Sequence, residues 1–234
     1  MSLPYFLAPD PASGRLGGAE GRHAVTVKRV QPGERVVLTD GRGTAATVEV
    51  TSVSGKDELR GEVLAVDRVA PPRPRVTVVQ AIPKGERAEL AVDLAVQGGA
   101  DAIVPWISHR TVARWPATKQ DKQVEKWRSA AQAAAKQSRR AWVPEVSSPV
   151  TTNQLAGVLG GKQVLVLHES AATALREVVF GPEVALVVGP EGGIGAEELE
   201  LIGGTAVKLG PEVLRTATAA LAALSAIGVL TARW

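Results

Sequence analysis

Hydrophobic and polar residues alternate over short stretches in the first third of the chain. Apolar runs at residues 35–39 and 44–50 flank a glycine-rich turn, Asp40-Gly-Arg-Gly43. Such runs between glycine turns are typical of antiparallel strands. The pattern predicts a small β-barrel or β-sandwich. It ends in the linker 66–75, whose prolines oppose both helices and central strands.

Beyond this linker, continuous apolar runs alternate with longer amphipathic segments. The apolar runs predict buried strands at residues 76–82, 102–105, 163–167, 184–188 and 206–209. The longer segments predict helices at residues 86–96, 119–140 and 216–231. This order is typical of an α/β fold whose mostly parallel sheet is covered on both faces. We therefore expect a β-domain at residues 1–72 and an α/β domain at residues 73–234.

The composition restricts the chemistry. The 234 residues include no cysteine and three histidines, which excludes disulfides and thiol catalysis and leaves few ligands for a metal ion. The N-terminus lacks the pattern of a signal peptide, and the apolar segment 217–230 is too short to span a bilayer. We expect a cytoplasmic protein without a metal. The same apolar segment could be buried in its own domain or against a partner.

Positive charge is concentrated in one stretch. Residues 108–142 contain nine Lys or Arg and two acidic residues, although the net charge of the whole chain is +3. A polyanion such as RNA suits this stretch, and a solvated helix face is the alternative. The basic residues, with one histidine, are His109, Arg110, Arg114, Lys119, Lys122, Lys126, Arg128, Lys136, Arg139 and Arg140.

Aromatic residues and a second basic cluster accompany this stretch. Trp106, Trp115, Trp127 and Trp142 lie in or beside it and could either stack on bases or belong to the core. The second cluster lies in the β-domain and is either an RNA-docking face or a polar loop. Its members are Arg22, His23, Lys28 and Arg29.

Three predicted strands end in turns that could bind a ligand, because ligands of α/β sheets bind at the carboxyl ends of strands. The turn in residues 187–195, Val-Val-Gly-Pro-Glu-Gly-Gly-Ile-Gly, matches neither a dinucleotide fingerprint nor a P-loop. Its acidic surroundings suit an uncharged or cationic group such as adenosine or a sulfonium. A plain strand-to-helix connection is the alternative.

The other two turns contain the candidate catalytic residues. In the turn 209–216, Arg215 could meet an anionic ligand or form a structural ion pair with Glu191 or Glu212. In the turn 165–170, His168 could act as a base or be an ordinary polar residue at a strand end, and Glu169 is equally ambiguous.

Seven motifs follow one another along nearly the whole chain. They are His23-Ala-Val-Thr-Val-Lys-Arg29, Ala81-Ile-Pro-Lys-Gly-Glu-Arg87, Ile103-Val-Pro-Trp-Ile-Ser-His-Arg110, Ala134-Ala-Lys-Gln-Ser-Arg-Arg140, Val143-Pro-Glu-Val146, Gly189-Pro-Glu-Gly-Gly193 and Leu209-Gly-Pro-Glu-Val-Leu-Arg-Thr216. In this order they resemble the RsmE family of ribosomal RNA uracil-N3 methyltransferases, in the SPOUT superfamily. The last two motifs are the most specific.

The resemblance implies a PUA-like β-barrel followed by a SPOUT domain with a trefoil knot, a rare exception to the rule against threaded chains. It also implies a homodimer that methylates N3 of a uridine in 16S rRNA of the small ribosomal subunit, with S-adenosylmethionine as cofactor. The implied cofactor contacts are Leu167, His168, Glu169, Gly189, Pro190, Glu191, Gly192, Gly193, Leu209, Gly210, Val213, Leu214, Arg215 and Thr216.

The catalytic candidates are assigned because they lie on turns predicted to converge, and the RNA contacts because they lie in or beside the two basic clusters. We expect Arg215 to stabilise the uracil anion, and His168 or solvent to accept the proton. The expected RNA contacts are Arg22, His23, Lys28, Arg29, Arg110, Arg139 and Arg140.

The chain departs from the family pattern where many relatives have acidic residues. Gln97, Ala133 and Ala217 occupy these positions, so no carboxylate at residue 217 can act as a base. Two rivals remain: an RNA-binding or ribosome-assembly module without catalysis, and a nucleotide-dependent enzyme on a conventional Rossmann sheet.

Overall fold

The computed structural model describes residues 3–85, 87–113 and 115–234. Glu86, at the start of a predicted helix, and Arg114, in the basic stretch, lie outside the described residues. The chain divides into two compact units. One contains residues 1–71 and 135–143, and the other contains residues 72–134 and 144–234.

The first unit is a five-stranded mixed sheet in the order β1-β3-β4-β5-β2, in which β1 and β3 are parallel and the other pairs antiparallel. Side chains that alternate toward one face form its core, which includes Phe6, Leu38 and Leu59. The elements are β1 (Tyr5–Leu7), β2 (Arg15–Leu16), α1 (Gly18–Arg22), a π-helical turn (His23–Val27), β3 (Arg35–Thr39), β4 (Thr44–Ser54) and β5 (Glu58–Arg68).

The glycine-rich turn between β3 and β4 accepts a distant piece of chain. Gly43 donates its N–H to Ala141 O, and Val143 donates to Gly41 O, both at 2.9 Å. Gly43 has a φ of +100°, and a Cβ there would lie 2.6 Å from the Trp142 ring. Only glycine therefore allows this close approach. The segment 135–143 is thereby joined to the β-domain.

The second unit contains an eight-stranded sheet in the order β11-β13-β10-β12-β6-β7-β8, with β9 also paired to β7. Its strands are β6 (Arg75–Ala81), β7 (Ala102–Ile107), β8 (Glu145–Val146), β9 (Val150–Thr151), β10 (Gln163–Leu167), β11 (Thr173–Ala174), β12 (Glu183–Val188) and β13 (Thr205–Lys208). Its helices are α2 (Arg87–Gln97), α3 (Gln120–Gln137), α4 (Leu155–Leu159), α5 (Ala196–Ile202) and α6 (Thr216–Leu230).

The strand pairs of this sheet within the described residues are parallel, as the continuous apolar runs predict. β12 is buried over nearly its whole length, from Val184 to Val188. The predicted class, an α/β domain after a small β-domain, is thus confirmed. The trefoil knot stays a prediction.

One predicted helix ends earlier in the structure. The helix predicted to end at residue 140 ends at Gln137, because Arg139 adopts a left-handed conformation with φ of +55° that an α-helix does not continue. The final helix α6 buries one face in its own domain, including Leu224 and Ile227. At its end, Val229 is 73% exposed.

Candidate active site

Three strands that end beside one another position the site. β10 pairs with β12 on one side and with β13 on the other, in parallel, so that Leu167 lies opposite both Val188 and Val207. All three strands therefore reach the same edge of the sheet at the same level. The predicted turns after residues 167, 188 and 208 begin there.

The three turns surround one cavity of about 770 Å³. Aliphatic side chains, glycine backbone and charged groups share its surface. The lining residues are Arg87, Arg110, Leu167, His168, Glu169, Val188, Gly189, Pro190, Glu191, Gly192, Gly193, Ile194, Val207, Lys208, Leu209, Gly210, Glu212, Val213, Leu214, Arg215, Thr216 and Ala219. Every residue predicted to contact the cofactor is among them.

The turn after β12 needs its glycines for steric reasons. A Cβ at Gly189 would lie 2.7 Å from Ile194 Cγ1, so a side chain there would displace this buried isoleucine. Gly193 has a φ of +71° and donates its N–H to Pro190 O at 2.9 Å. The result is a tight glycine turn that lines the cavity.

Arg215 lies at the start of α6, where its carbonyl oxygen accepts the N–H groups of Thr218 and Ala219 at 2.9 and 3.0 Å. Its side chain is exposed and lines the cavity. Within the described residues no carboxylate forms an ion pair with it, so the alternative of a structural pair with Glu191 or Glu212 is not observed.

His168 lines the cavity and is half-buried, but its hydrogen bonding limits its chemistry. Its Nδ1 accepts the N–H of Ser170 at 3.2 Å. A neutral imidazole has one acceptor nitrogen, so Nε2 carries the proton. The lone pair that a base would use is already engaged. This geometry favours a donor role for His168 over a proton acceptor.

The chain matches two family models, an RNA methyltransferase domain at residues 71–228 and an RNA methyltransferase PUA domain at residues 16–64. It is 48% identical over 247 residues to ribosomal RNA small subunit methyltransferase E of Mycobacterium tuberculosis, covering 100% of this chain and 94% of the relative. The protein of that name from Bacillus subtilis is 32% identical over 230 residues, covering 92% and 90% of the two chains.

The chain belongs to the ribosomal RNA small subunit methyltransferase E family. The resemblance predicted from its motifs is thus confirmed.

Two solved structures have the same fold as this chain. A putative methyltransferase from Legionella pneumophila, in complex with the bound cofactor SAM, has a TM-score of 0.87 and 29% identity, covering 98% of both chains. Ribosomal RNA small subunit methyltransferase E from Neisseria gonorrhoeae, bound to S-adenosyl methionine, has a TM-score of 0.87 and 28% identity, also covering 98% of both chains.

The cavity of this family member includes residues that the motifs had not assigned to it. Arg87 follows β6 and Lys208 ends β13, and Arg110, expected only as an RNA contact, follows β7. The neighbouring positions of β6 and β7 in the sheet could have revealed Arg87 and Arg110, since carboxyl ends of adjacent parallel strands share one edge.

The other predicted RNA contacts belong to the first unit. Arg22, Lys28 and Arg29 are exposed on α1 and after the π-helical turn. His23 instead packs edge-on against Phe6, with 5.7 Å between the ring centroids, so its ring has a structural contact. Arg139 and Arg140 lie in the segment 135–143 that joins the β-domain.

The tryptophans do not form a stacking platform. Trp106 and Trp127 are at most 1% exposed, and Trp115 packs edge-on against Trp127 with centroids 5.2 Å apart. Trp142 donates its Nε1–H to Val69 O at 2.9 Å. The core alternative is therefore correct for the first three.

Among residues 3–85, 87–113 and 115–234, no group of side chains could hold a metal ion. In the same part of the chain, no helix combines the length and apolarity that crossing a membrane requires.

Proposed function

We propose that this chain transfers the methyl group of S-adenosylmethionine to N3 of a uridine in 16S rRNA, as a cytoplasmic homodimer that acts on the small ribosomal subunit. The observation that carries the proposal is the convergence of three strand-end turns on one cavity in a member of this family. The names and bound ligands of its relatives support both the substrate class and the cofactor.

The cavity fits the proposed cofactor. Its volume of about 770 Å³ lies within the range of roughly 300–1,000 Å³ that small-molecule sites occupy. Val213 and Leu214 are 74% and 41% exposed on the cavity turn, where an apolar ligand surface would cover them. Acidic side chains, including Glu169 and Glu191, offer counter-charges for a cationic group. The main chain at the glycines permits close approach of the cofactor.

Three loops of the chain would hold S-adenosylmethionine: residues 167–169, 189–193 and 209–216. When bound, it supplies an electrophilic methyl group, so the protein has to position the two reactants and stabilise charge. Uracil N3 must lose its proton before it can attack the methyl carbon. Arg215, without a carboxylate partner among the described residues, would stabilise the resulting anion, and solvent would take the proton.

Mapping of N3-methyluridine tests the proposed reaction. Small-subunit rRNA from cells that lack this protein should lose one N3-methyluridine, and expression of the wild-type chain should restore it. Mass spectrometry of rRNA fragments measures the change. An identical methylation pattern in both cell lines would contradict the proposal.

Calorimetry distinguishes the proposed enzyme from an RNA-binding module without catalysis. This alternative is tested because residue 217 is an alanine, where many relatives have an acidic residue. That residue is buried in the first turn of α6, so no acid is available there. A methyltransferase should bind S-adenosylmethionine with a defined stoichiometry. An RNA-binding module without catalysis should release no measurable heat when the cofactor is added.

We expect that reversing two charges in the segment 135–143 weakens RNA binding. The double variant Arg139→Glu/Arg140→Glu should flatten the dependence of log K on log salt by about 0.7–0.9 for each lost phosphate contact. A filter-binding titration at several salt concentrations measures this slope. Arg60→Glu, on exposed β5 outside the basic clusters, is the matched control. An unaltered slope in the double variant would reject the assignment.

A further inference from the structure

A carboxylate is buried next to the turn that follows β7, and Arg110 of this turn lines the cavity. Glu198 on α5 is 1% exposed, and no Lys or Arg of the described residues forms an ion pair with it. Of the basic groups that the structure describes, the His109 imidazole approaches it, with Nδ1 at 4.0 Å from Oε1. Burying a carboxylate without a cationic partner opposes folding. The position therefore calls for a role other than stability.

Glu198 fixes the backbone of the turn that follows β7. Its Oε1 accepts the N–H of His109 at 2.8 Å and the hydroxyl of Thr152 at 2.5 Å, while Oε2 has no partner among the described residues. Thr152 in turn accepts the Nε1–H of buried Trp106 at 3.1 Å. The carboxylate thus joins α5 to the end of β7.

The same turn is also closed internally. Ser108 donates its N–H to Thr111 Oγ1 at 3.1 Å, and Thr111 donates its N–H to Ser108 O at 3.2 Å. The backbone at residues 108–111 is therefore held by hydrogen bonds from both sides. The side chain of Arg110, at the tip of this turn, therefore extends from a fixed backbone position.

The Arg110 side chain lies along the glycine turn of the cavity. Its Nη1 donates to Gly192 O at 3.1 Å, and a Cβ at Gly195 would lie 3.3 Å from its Nη2. The residue is exposed and lines the cavity, and none of the described carboxylates pairs with it. An ordered guanidinium without a counter-ion is suited to an anion from solution.

We propose that Glu198 is a positioning residue, which holds the 108–111 turn so that Arg110 binds a phosphate of the RNA substrate at the rim of the cavity. The inference rests on the proposed function, because the anion is taken to be RNA. It adds that the buried carboxylate contributes to RNA recognition rather than to cofactor binding. A phosphate held by Arg110 would keep the adjoining nucleotide at the cavity.

Methylation kinetics with a small-subunit rRNA fragment test the role of Arg110. Arg110→Ala should lower kcat/KM for RNA by about 10- to 100-fold, which is the usual contribution of a hydrogen bond to a charged group. The Kd of S-adenosylmethionine, measured by calorimetry, should change less than about threefold, because the lost contact is made to RNA. Arg176→Ala, an exposed arginine outside the cavity, should leave both values unchanged.

A double-mutant cycle tests the positioning role of Glu198. Glu198→Ala should lower kcat/KM for RNA toward the value of Arg110→Ala, and the double variant should be no slower than Arg110→Ala alone. Glu198→Gln should restore most of the rate, because its amide oxygen can accept the same two hydrogen bonds. If Glu198→Ala does not fold, Thr152→Val removes one of these bonds and Thr152→Ser keeps it.

The outcomes separate the two proposals. If the wild-type chain neither binds S-adenosylmethionine nor methylates RNA, the proposed function fails. If the wild type is active and Arg110→Ala is as fast, the RNA contact is wrong. Effects of Glu198→Ala and Arg110→Ala that multiply in the double variant would show that Glu198 acts only through stability, and would overturn the positioning role.

Discussion

Arg215→Ala should slow single-turnover methyl transfer by about 10²- to 10³-fold, the usual effect of removing one group that stabilises a transition-state charge. The arginine lines the cavity and has no carboxylate partner among the described residues, so its charge is available to a uracil anion. Rapid quenching with saturating RNA and cofactor measures the chemical step. Arg215→Lys should recover part of the rate, since it keeps the charge but not the planar fork.

His168→Ala, in the turn that follows β10, is the matched comparison in the same cavity. We expect a loss of less than about tenfold, well below the 10²–10⁴-fold typical of a general base. The reason is that His168 Nδ1 already accepts the N–H of Ser170. A large loss in His168→Ala together with an unchanged rate in Arg215→Ala would reverse the two roles.

The cavity could be predicted because its three turns all follow strands of one parallel sheet. β10 and β12 are short and apolar with buried central residues, so each is recognisable without its neighbours, whereas β13 buries only Val207. The bounds of β10 agree with the prediction, and those of β12 differ by one residue. A parallel sheet then places their carboxyl ends on one edge. The hydrophobic pattern of the strands and this rule for parallel sheets were sufficient to predict the cavity.

The pairing of the segment 135–143 with the β-domain could not be predicted in the same way. The segment 135–143 continues a helical pattern, yet it pairs with the turn at Gly41 and Gly43, about a hundred residues earlier. Lys136 also forms an ion pair with Glu20 of α1 at 2.5 Å. Contacts of such separation leave no periodic signal in the sequence. The basic stretch therefore divides between the two units.

The buried carboxylate shows a second kind of limit. Glu197 and Glu198 are adjacent acidic residues at the start of a helix and are indistinguishable by composition. Only the packing of α5 against the residues after β7 buries Glu198 and leaves Glu197 exposed. Sequence patterns identify amphipathic faces, but they do not show which polar group a neighbouring turn requires.

The C-terminus contains the ion pair with the largest expected effect on stability. Arg233 Nη1 lies 2.8 Å from Asp101 Oδ2, and the two side chains are 4% and 7% exposed. Arg233 also donates to the carbonyl oxygens of Gly99 and Pro74, and Asp101 accepts the N–H of Val76 at 2.8 Å. Removing the arginine would take away the salt bridge of a buried carboxylate beside β6.

We expect Arg233→Ala to lower the free energy of unfolding by about 3–5 kcal/mol. For a domain of this size, that corresponds to a fall in Tm on the order of 10 °C. Thermal unfolding followed by circular dichroism measures it. Arg73→Ala is the control: its pair with Glu183 is 3.2 Å long, but the side chains are 64% and 38% exposed. Solvent screening should keep its effect below about 1 kcal/mol.

A double variant decides whether the loss of the Arg233 charge beside Asp101 is the cause. Arg233→Met/Asp101→Asn removes both charges and keeps side chains of similar size, so it should recover much of the stability lost in Arg233→Ala. If the double variant is as unstable as Arg233→Ala, the packing of the arginine stem and its bonds to the carbonyl oxygens dominate. Equal shifts for Arg233→Ala and Arg73→Ala would contradict the premise that burial determines the strength of these ion pairs.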